Sequence, residues 1–377
     1  MQQETVRIAT YNASLNRADK GQLLADLSTP GNAQARNIAE VIQRNNPDIL
    51  LLNEFDYDQD HAAVNLFREN YLEVSQHGQA PVSYPYAYTA PSNTGVDSGM
   101  DLNNDGELGT ADDAFGFGEF EGQYGMVVLS KFPIETPGIR TFRTFRWQDM
   151  PGNLMPTDYY SAEAQDALRL SSKSHWDVPV QVDGKTVHVL ASHPTPPSFD
   201  GDEDRNGRRN NDEIRFWADY ISGGKQAGYI YDDAGRPGGL KPGERFVILG
   251  DQNSDPRDGD SWPGSIDQLL QHPRVQDPQP ASRGAVEAAR SQGASNISHL
   301  GDPRLDTADF QDHPAPGNLR VDYVLPSKNL NVRGAGVFWP APGEPGADLT
   351  GEFPFPTSDH RLVWVDLKLP KSSGLKH

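Results

Sequence analysis

Six short apolar runs in this chain end on, or begin from, a polar residue of the kind that does chemistry. The clearest is Phe246-Val247-Ile248-Leu249, which leads into Gly250-Asp251-Gln252-Asn253-Ser254. An apolar run of that length without alternation reads as a strand buried on both faces. Its exit brings a carboxylate and an amide to one sheet edge, because residues two apart on an extended chain point the same way. Gly-Asp-x-Asn also makes ordinary turns, so one such exit decides nothing. The other five runs are 6–12, ending on Asn12; 48–54, ending on Glu54; 186–193, ending on His193; 320–325, carrying Asp322; and 361–369, preceded by Asp359 and His360. Polar groups gathered at the ends of neighbouring strands converge, and convergence in a cleft marks a site. Hard oxygen donors with imidazole suit Mg²⁺ or Mn²⁺ better than zinc.

Helical spacing marks residues 33–45 (Ala35, Ile38, Ala39, Ile42) and 211–221, with a shorter helix at 265–271. Three insertions, at about 84–123, 141–177 and 276–318, separate the regular segments. No internal repeat is present, so the expectation is one domain over 1–370 and a disordered tail at 371–377. The formal charge of −20 repels phosphate polymers at long range. It disfavours nucleic-acid binding by charge alone and leaves room for a metal-neutralised phosphate site. The chain lacks cysteine, which excludes disulfides, thiolate metal sites and a cysteine nucleophile. No run of about 18 apolar residues is present to span a membrane.

Taken in order, Thr10-Tyr11-Asn12, Asn53-Glu54, Gly125 to Pro133, Ser192-His193, Gly250-Asp251-Gln252-Asn253, Val321-Asp322-Tyr323 and Ser358-Asp359-His360 resemble the motifs of the endonuclease/exonuclease/phosphatase superfamily, the DNase I-like metal-dependent phosphoesterases. The resemblance spans essentially the whole chain. It implies an α/β (α+β) fold: a four-layer α/β/β/α sandwich, two packed mixed sheets flanked by helices, with the site at one end. It also implies roles. Glu54 would be the principal metal ligand, Asn12 would help hold metal or phosphate, and Asp359 would be a second metal or water ligand. Asp251 would orient and deprotonate the attacking water, and Asn253 would hold a phosphate oxygen. His360 would contact the phosphoryl oxygens, with Asp322 orienting its imidazole. His193 would sit on the leaving-group side. The family commonly has Gln where this chain has Asn53, expected to support the site from behind, and Leu where it has Pro194. Segment 193–215 resembles a bacterial branch whose substrates are poorly defined.

Two loops suggest calcium. Asp101, Asn103, Asp105, Glu107 and Asp112 occupy ligand positions of an EF-hand-like, dockerin-type loop with Gly106 at its turn. The expected role of Ca²⁺ there is to staple the insertion. The alternative is a solvated Asp/Gly-rich loop. Residues 202–213 have similar spacing, but Arg205, Arg208 and Arg209 crowd it with positive charge. Arg208 and Arg209 are therefore rival candidates for substrate phosphate, and ion pairing is a third reading.

The leading expectation is a metal-dependent hydrolase of small phosphodiesters or phosphomonoesters, a monomer with no membrane span. A secreted DNA or RNA nuclease is the enzymatic alternative. It would need Arg140, Arg143, Arg146 and Arg169 on the cleft rim and Trp147 to stack on a base. A calcium-binding scaffold with a degenerate site is the alternative of another class. Met1-Gln2-Gln3-Glu4 leads directly into a strand. With the acidity, the calcium-like loops and the absence of cysteine, this gives the expectation of a secreted or periplasmic protein.

Overall fold

The computed structural model describes residues 5–370; the tail expected to be disordered lies outside the described residues. Eleven strands are described: β1 (Val6–Leu15), β2 (Ile49–Phe55), β3 (Tyr86–Tyr88), β4 (Met126–Ser130), β5 (Arg140–Thr141), β6 (His175–Val182), β7 (Lys185–Ser192), β8 (Arg245–Asp251), β9 (Asp322–Pro326), β10 (Asn331–Val337) and β11 (Val363–Lys368). They form two mixed sheets, ordered β10-β11-β1-β2-β4-β3 and β5-β6-β7-β8-β9. The parallel pairs are β1 with β2 and β7 with β8.

The apolar runs lack alternation because both faces of each central strand are covered. Ile49 and Leu51 of β2 point into the core between the sheets, where they join Val247 and Leu249 of β8. Leu50 and Leu52 point the other way, onto the helix Ala33–Asn45 through Ile38 and Ile42. Ile248 of β8 faces a second outer layer built on the helix Arg205–Ser222, with Ile214 and Trp217. Two sheets back to back with helices outside give the four-layer α/β/β/α sandwich.

The insertions contain more structure than their composition suggests. The stretch 84–123 contributes β3, the stretch 141–177 contains the helix Ala162–Ala167, and the stretch 276–318 contains the helix Arg283–Gln292. Ser161 and Ser282 cap those two helices by accepting the N–H groups of Ala164 and Ala285. Strand β10 was also outside the sequence reading. Its glycines and Arg333 hide any period of two, and pairing with β11 defines it.

Candidate active site

Strand register brings the polar ends together. Asn12 lies beside Asn53 across β1 and β2, and Asp251 lies opposite Asp322 across β8 and β9. His193 follows directly on β7, alongside β8. Gly250 allows this close approach: its φ is +141°, and a Cβ there would meet the carbonyl oxygen of Ser192 at 2.0 Å. The two sheets are joined at this edge by the amide N–H of Asp251, which donates to Asn53 Oδ1 at 2.9 Å. Asn53 therefore does support the site from behind.

Asp251 is the hub. Its Oδ2 lies 3.1 Å from Asn12 Nδ2, 3.3 Å from His193 Nε2 and 3.5 Å from His360 Nε2. Its Oδ1 accepts the backbone N–H of Asn253 at 3.0 Å. Burial pushes the Asp251 carboxyl up, yet His360 and His193 beside it hold it well below the usual carboxylate range. Burial likewise pulls His360 down, but Asp322, Asp251 and Asp359 overcome it and raise the imidazole well above its ordinary value. His360 Nδ1 is 2.8 Å from Asp322 Oδ2, which also accepts the Thr307 hydroxyl at 2.7 Å. Asp322 thus orients His360, as the family resemblance implies. His193 goes the other way: burial, with the Lys173 charge nearby, lowers it to about 4, and its Nδ1 is buried without a partner.

The donors can be tested for a metal. Glu54, Asp251 and His360 each offer an atom within 4.8 Å of the others. His360 faces carboxylates through both nitrogens and is held as the imidazolium, so it has no lone pair to give. The carboxylates of Glu54 and Asp251 remain, a hard donor set that fits Mg²⁺ or Mn²⁺. Burial, then the charge of Asp359, raises Glu54 to about 7. Glu54 also holds a left-handed φ of +55°, which aims it off the strand end.

Three expected contacts differ in detail. Asn12 turns its amide nitrogen to Glu54 and Asp251 while its Oδ1 accepts from Ser14 N. In this arrangement it organises the carboxylates instead of offering them a rival oxygen. Asn253 donates to the carbonyl of Pro194 at 2.9 Å, tying the β7 exit to the β8 exit. Asp359 stands at the margin, 3.8 Å from His360 Nε2 and 3.5 Å from Ser14 Oγ.

Other sequence candidates lie elsewhere. Arg209 is buried and donates to the carbonyls of Leu170, Phe115, Arg169 and Ser171, so it ties loops together and does not face substrate. Arg208 donates to Glu203 O and lies 4.7 Å over the Trp262 ring. The 202–213 segment is not a calcium loop. From Arg205 onward it is helix, and Glu213 is buried, accepting from the N–H groups of Ser172 and Thr195. In the 101–112 loop, Asp101 accepts from Asp105 N and Gly106 N, and Asp105 accepts from Glu107 N and from the side-chain amide of Asn103. Asp112 is exposed. Its neighbour Asp113 closes the loop, being fully buried and accepting from Leu102 N at 2.8 Å. The acidic groups of this loop form no cluster of three ligand atoms within 4.8 Å among the described residues. Of the residues expected on a nuclease rim, Arg146 is exposed and Arg143 half-buried, while the other three are engaged elsewhere. Arg140 pairs with Asp232 at 2.8 Å, Arg169 donates to Asn93, and Trp147 is fully buried, bonded to Asp212.

Sequence reasoning missed Lys173. It is 7 % exposed, and no hydrogen bond or ion pair reaches its ammonium among the described residues. Burial lowers its pKa, while Glu213, Glu54 and Asp251 oppose that shift. The stretch Ser171-Ser172-Lys173-Ser174 reads as surface, and contacts with Glu213, Asn93, Arg209 and the β7 exit bury it.

The sequence matches the Endonuclease/Exonuclease/phosphatase family over residues 9–360. The chain belongs to this family. Its members are hydrolases acting on phosphoester bonds, generally dependent on divalent metal. Among solved structures, the chain is similar to the endonuclease/exonuclease/phosphatase from Beutenbergia cavernae DSM 12333, at 19 % identity and a TM-score of 0.54, covering 98 % of this chain and 72 % of that one. It is also similar to a family protein from Leptotrichia buccalis C-1013-b, at 12 % identity and a TM-score of 0.50, covering 97 % of this chain and 100 % of that one. These likenesses show the fold. No curated protein matches the sequence.

Proposed function

We propose that this protein is a divalent-metal-dependent phosphoesterase that hydrolyses small phosphodiesters or phosphomonoesters. The observation that carries the reading is the ionised Asp251 carboxylate held between two imidazoles at a strand edge shared with Glu54. A divalent ion held by Glu54 and Asp251 would neutralise charge on the phosphoryl group. The chain's own groups do the rest. Asp251, held so acidic, is a weak base; it orients the attacking water and accepts its proton as charge develops. The His360 imidazolium, fixed by Asp322, donates to phosphoryl oxygens. Lys173 adds a second fixed positive charge on the Glu54 side, and neutral His193 stands beside the leaving group.

Small esters are favoured over nucleic acid because the cleft that opens from the site is acidic. It measures about 1160 Å³, and its walls carry seven carboxylates against one guanidinium, that of Arg257. A polyphosphate chain laid along it would meet repulsion at every step.

The test is a paired assay in Mg²⁺ and in Mn²⁺. It follows hydrolysis of a small aryl phosphodiester and monoester beside nicking of duplex DNA, with Asp251→Asn as control. Turnover of the small esters, lost on chelation while the fold persists, is expected. Efficient nicking that exceeds small-ester hydrolysis would overturn the reading in favour of a nuclease.

A further inference from the structure

The charges of this site are divided in space. At the phosphate end stand the basic side chains of His360, 3.5 Å from Asp251, and of Lys173, which feels the charges of Glu54 and Asp251. Beyond Asp359 the cleft is acidic, with Asp260 and Glu352 exposed on its walls. The same cleft holds three strongly exposed large apolar side chains, two of them the most exposed aromatic rings of the described residues. Phe353 is 87 % exposed, Phe199 86 % and Leu300 73 %, and all three line it. Phe353 meets Phe355 edge-on, with centroids 6.3 Å apart. Continuity with the chemistry comes from Phe310, another lining residue, whose ring stands edge-on to His360 at 5.3 Å. Aromatic rings left in water beside carboxylates suit one kind of group: an apolar cation, which the carboxylates attract and the ring faces hold.

We propose that the substrate is a small, free zwitterionic phosphoester whose esterified group carries an alkylated ammonium, seated among Phe199, Phe353 and Phe355 with Asp260 and Glu352 around it. The assignment rests on the phosphoesterase reading above and names its substrate class. A free ester is favoured over a bilayer headgroup because the cleft, about 1160 Å³, can enclose a whole small ester.

A matched pair of substrates tests it: 4-nitrophenyl phosphorylcholine and 4-nitrophenyl ethyl phosphate, which share the leaving group and differ in the ammonium. At low ionic strength the choline ester should have kcat/KM about ten-fold higher. Added salt, Glu352→Gln and Phe353→Ala should each narrow that ratio. Phe353 is exposed, so its replacement removes no core packing. Equal kcat/KM for the two esters, or a ratio that these variants leave untouched, would overturn the proposal. Hydrolysis of phosphatidylcholine vesicles without hydrolysis of the soluble choline ester would overturn the assignment to a free ester. If neither soluble ester nor vesicles are hydrolysed, the phosphoesterase reading fails by itself. The cleft is then judged by calorimetry with benzyltrimethylammonium: saturable binding weakened by Phe353→Ala supports it, and no binding refutes it.

Discussion

Two buried carboxylates near Thr307, Asp251 and Asp306, have opposite fates, and Asp322 falls between them, burial raising it to about 6 against the pull of His360. Asp251 and Asp322 are buried almost completely, but imidazole, amide and hydroxyl donors surround them. Asp306 is 7 % exposed, and no donor reaches its carboxylate among the described residues. Its surroundings are Asp255, Asp258 and Asp302. Burial, reinforced by those three charges, raises it to about 9. Asp255 accepts the backbone N–H groups of Arg257, Asp258 and Arg320, which oppose the upward push of burial on its carboxyl without cancelling it. Burial alone therefore does not set the charge of an acid here; the donors facing it do. Asp251 is held as an anion by the imidazoles beside it, whereas the charges around Asp306 favour its neutral acid.

The sharpest way to break this contrast is to remove the hub. Asp251→Asn keeps the shape of the side chain and removes its charge. It should lower kcat for an aryl phosphodiester by roughly 10³-fold or more. With the carboxylate gone, His360 loses one of the charges that raise it, so its titration, followed by imidazole NMR, should move to lower pH. An unchanged His360 titration would show that Asp322 alone holds the proton.

Lys173 should matter next most. Lys173→Met replaces an ammonium that makes no hydrogen bond or ion pair among the described residues by an apolar chain of similar length. We expect kcat/KM to fall about 10²-fold, as for loss of one fixed charge on the phosphoryl group. We expect the Tm to stay or rise, because burial disfavours the ammonium more than Glu213, Glu54 and Asp251 favour it. Recovery of activity in Lys173→Arg would assign the effect to charge. Full activity with a lowered Tm would instead make Lys173 a counterion for Glu213.

Asp306→Asn tests the other side of the comparison. The folded chain keeps the Asp306 proton up to about pH 9, whereas the unfolded chain loses it near the ordinary carboxylate value. Its contribution to stability is thus complete below about pH 4 and is lost as pH rises through 9. The amide imitates the protonated acid at every pH. Asp306→Asn should therefore raise the Tm by several degrees at pH 8 and leave it nearly unchanged at pH 4, as measured by calorimetry. A lower Tm at pH 8 would mean that the ionised carboxylate is stabilising.

The sequence made one of these acid groups visible and hid the other, for a physical reason. Asn12, Glu54, His193, Asp251, Asp322 and His360 each sit where an apolar run stops, and a strand end has a fixed place in a sandwich. Asp255, Asp258, Asp302 and Asp306 lie on loops, whose paths follow from packing that no local pattern encodes. Lys173 was hidden likewise, and so was the helix Arg283–Gln292 within a stretch rich in Pro, Ser and Ala. Arg209 misled for the converse reason: a charged residue on a helix reads as exposed, yet four loop carbonyls claim it.

The smallest effect expected is in the 101–112 loop, where acids are mostly exposed and neither fate applies. Asp113 is fully buried and accepts from Leu102 N and the Thr110 hydroxyl, while Asp101 accepts two backbone N–H groups at the surface. Asp113→Ala should cost more stability than Asp101→Ala, since it strands a buried N–H, a loss of about 1–3 kcal/mol. Neither substitution should alter ester hydrolysis. The calcium reading makes a separate demand: adding Ca²⁺ should raise the Tm of the parent protein, and Asp101→Ala should abolish that rise. Equal melting with and without Ca²⁺ in the parent would leave the carboxylate-to-backbone bonds, centred on Asp113, as the whole closure of this loop.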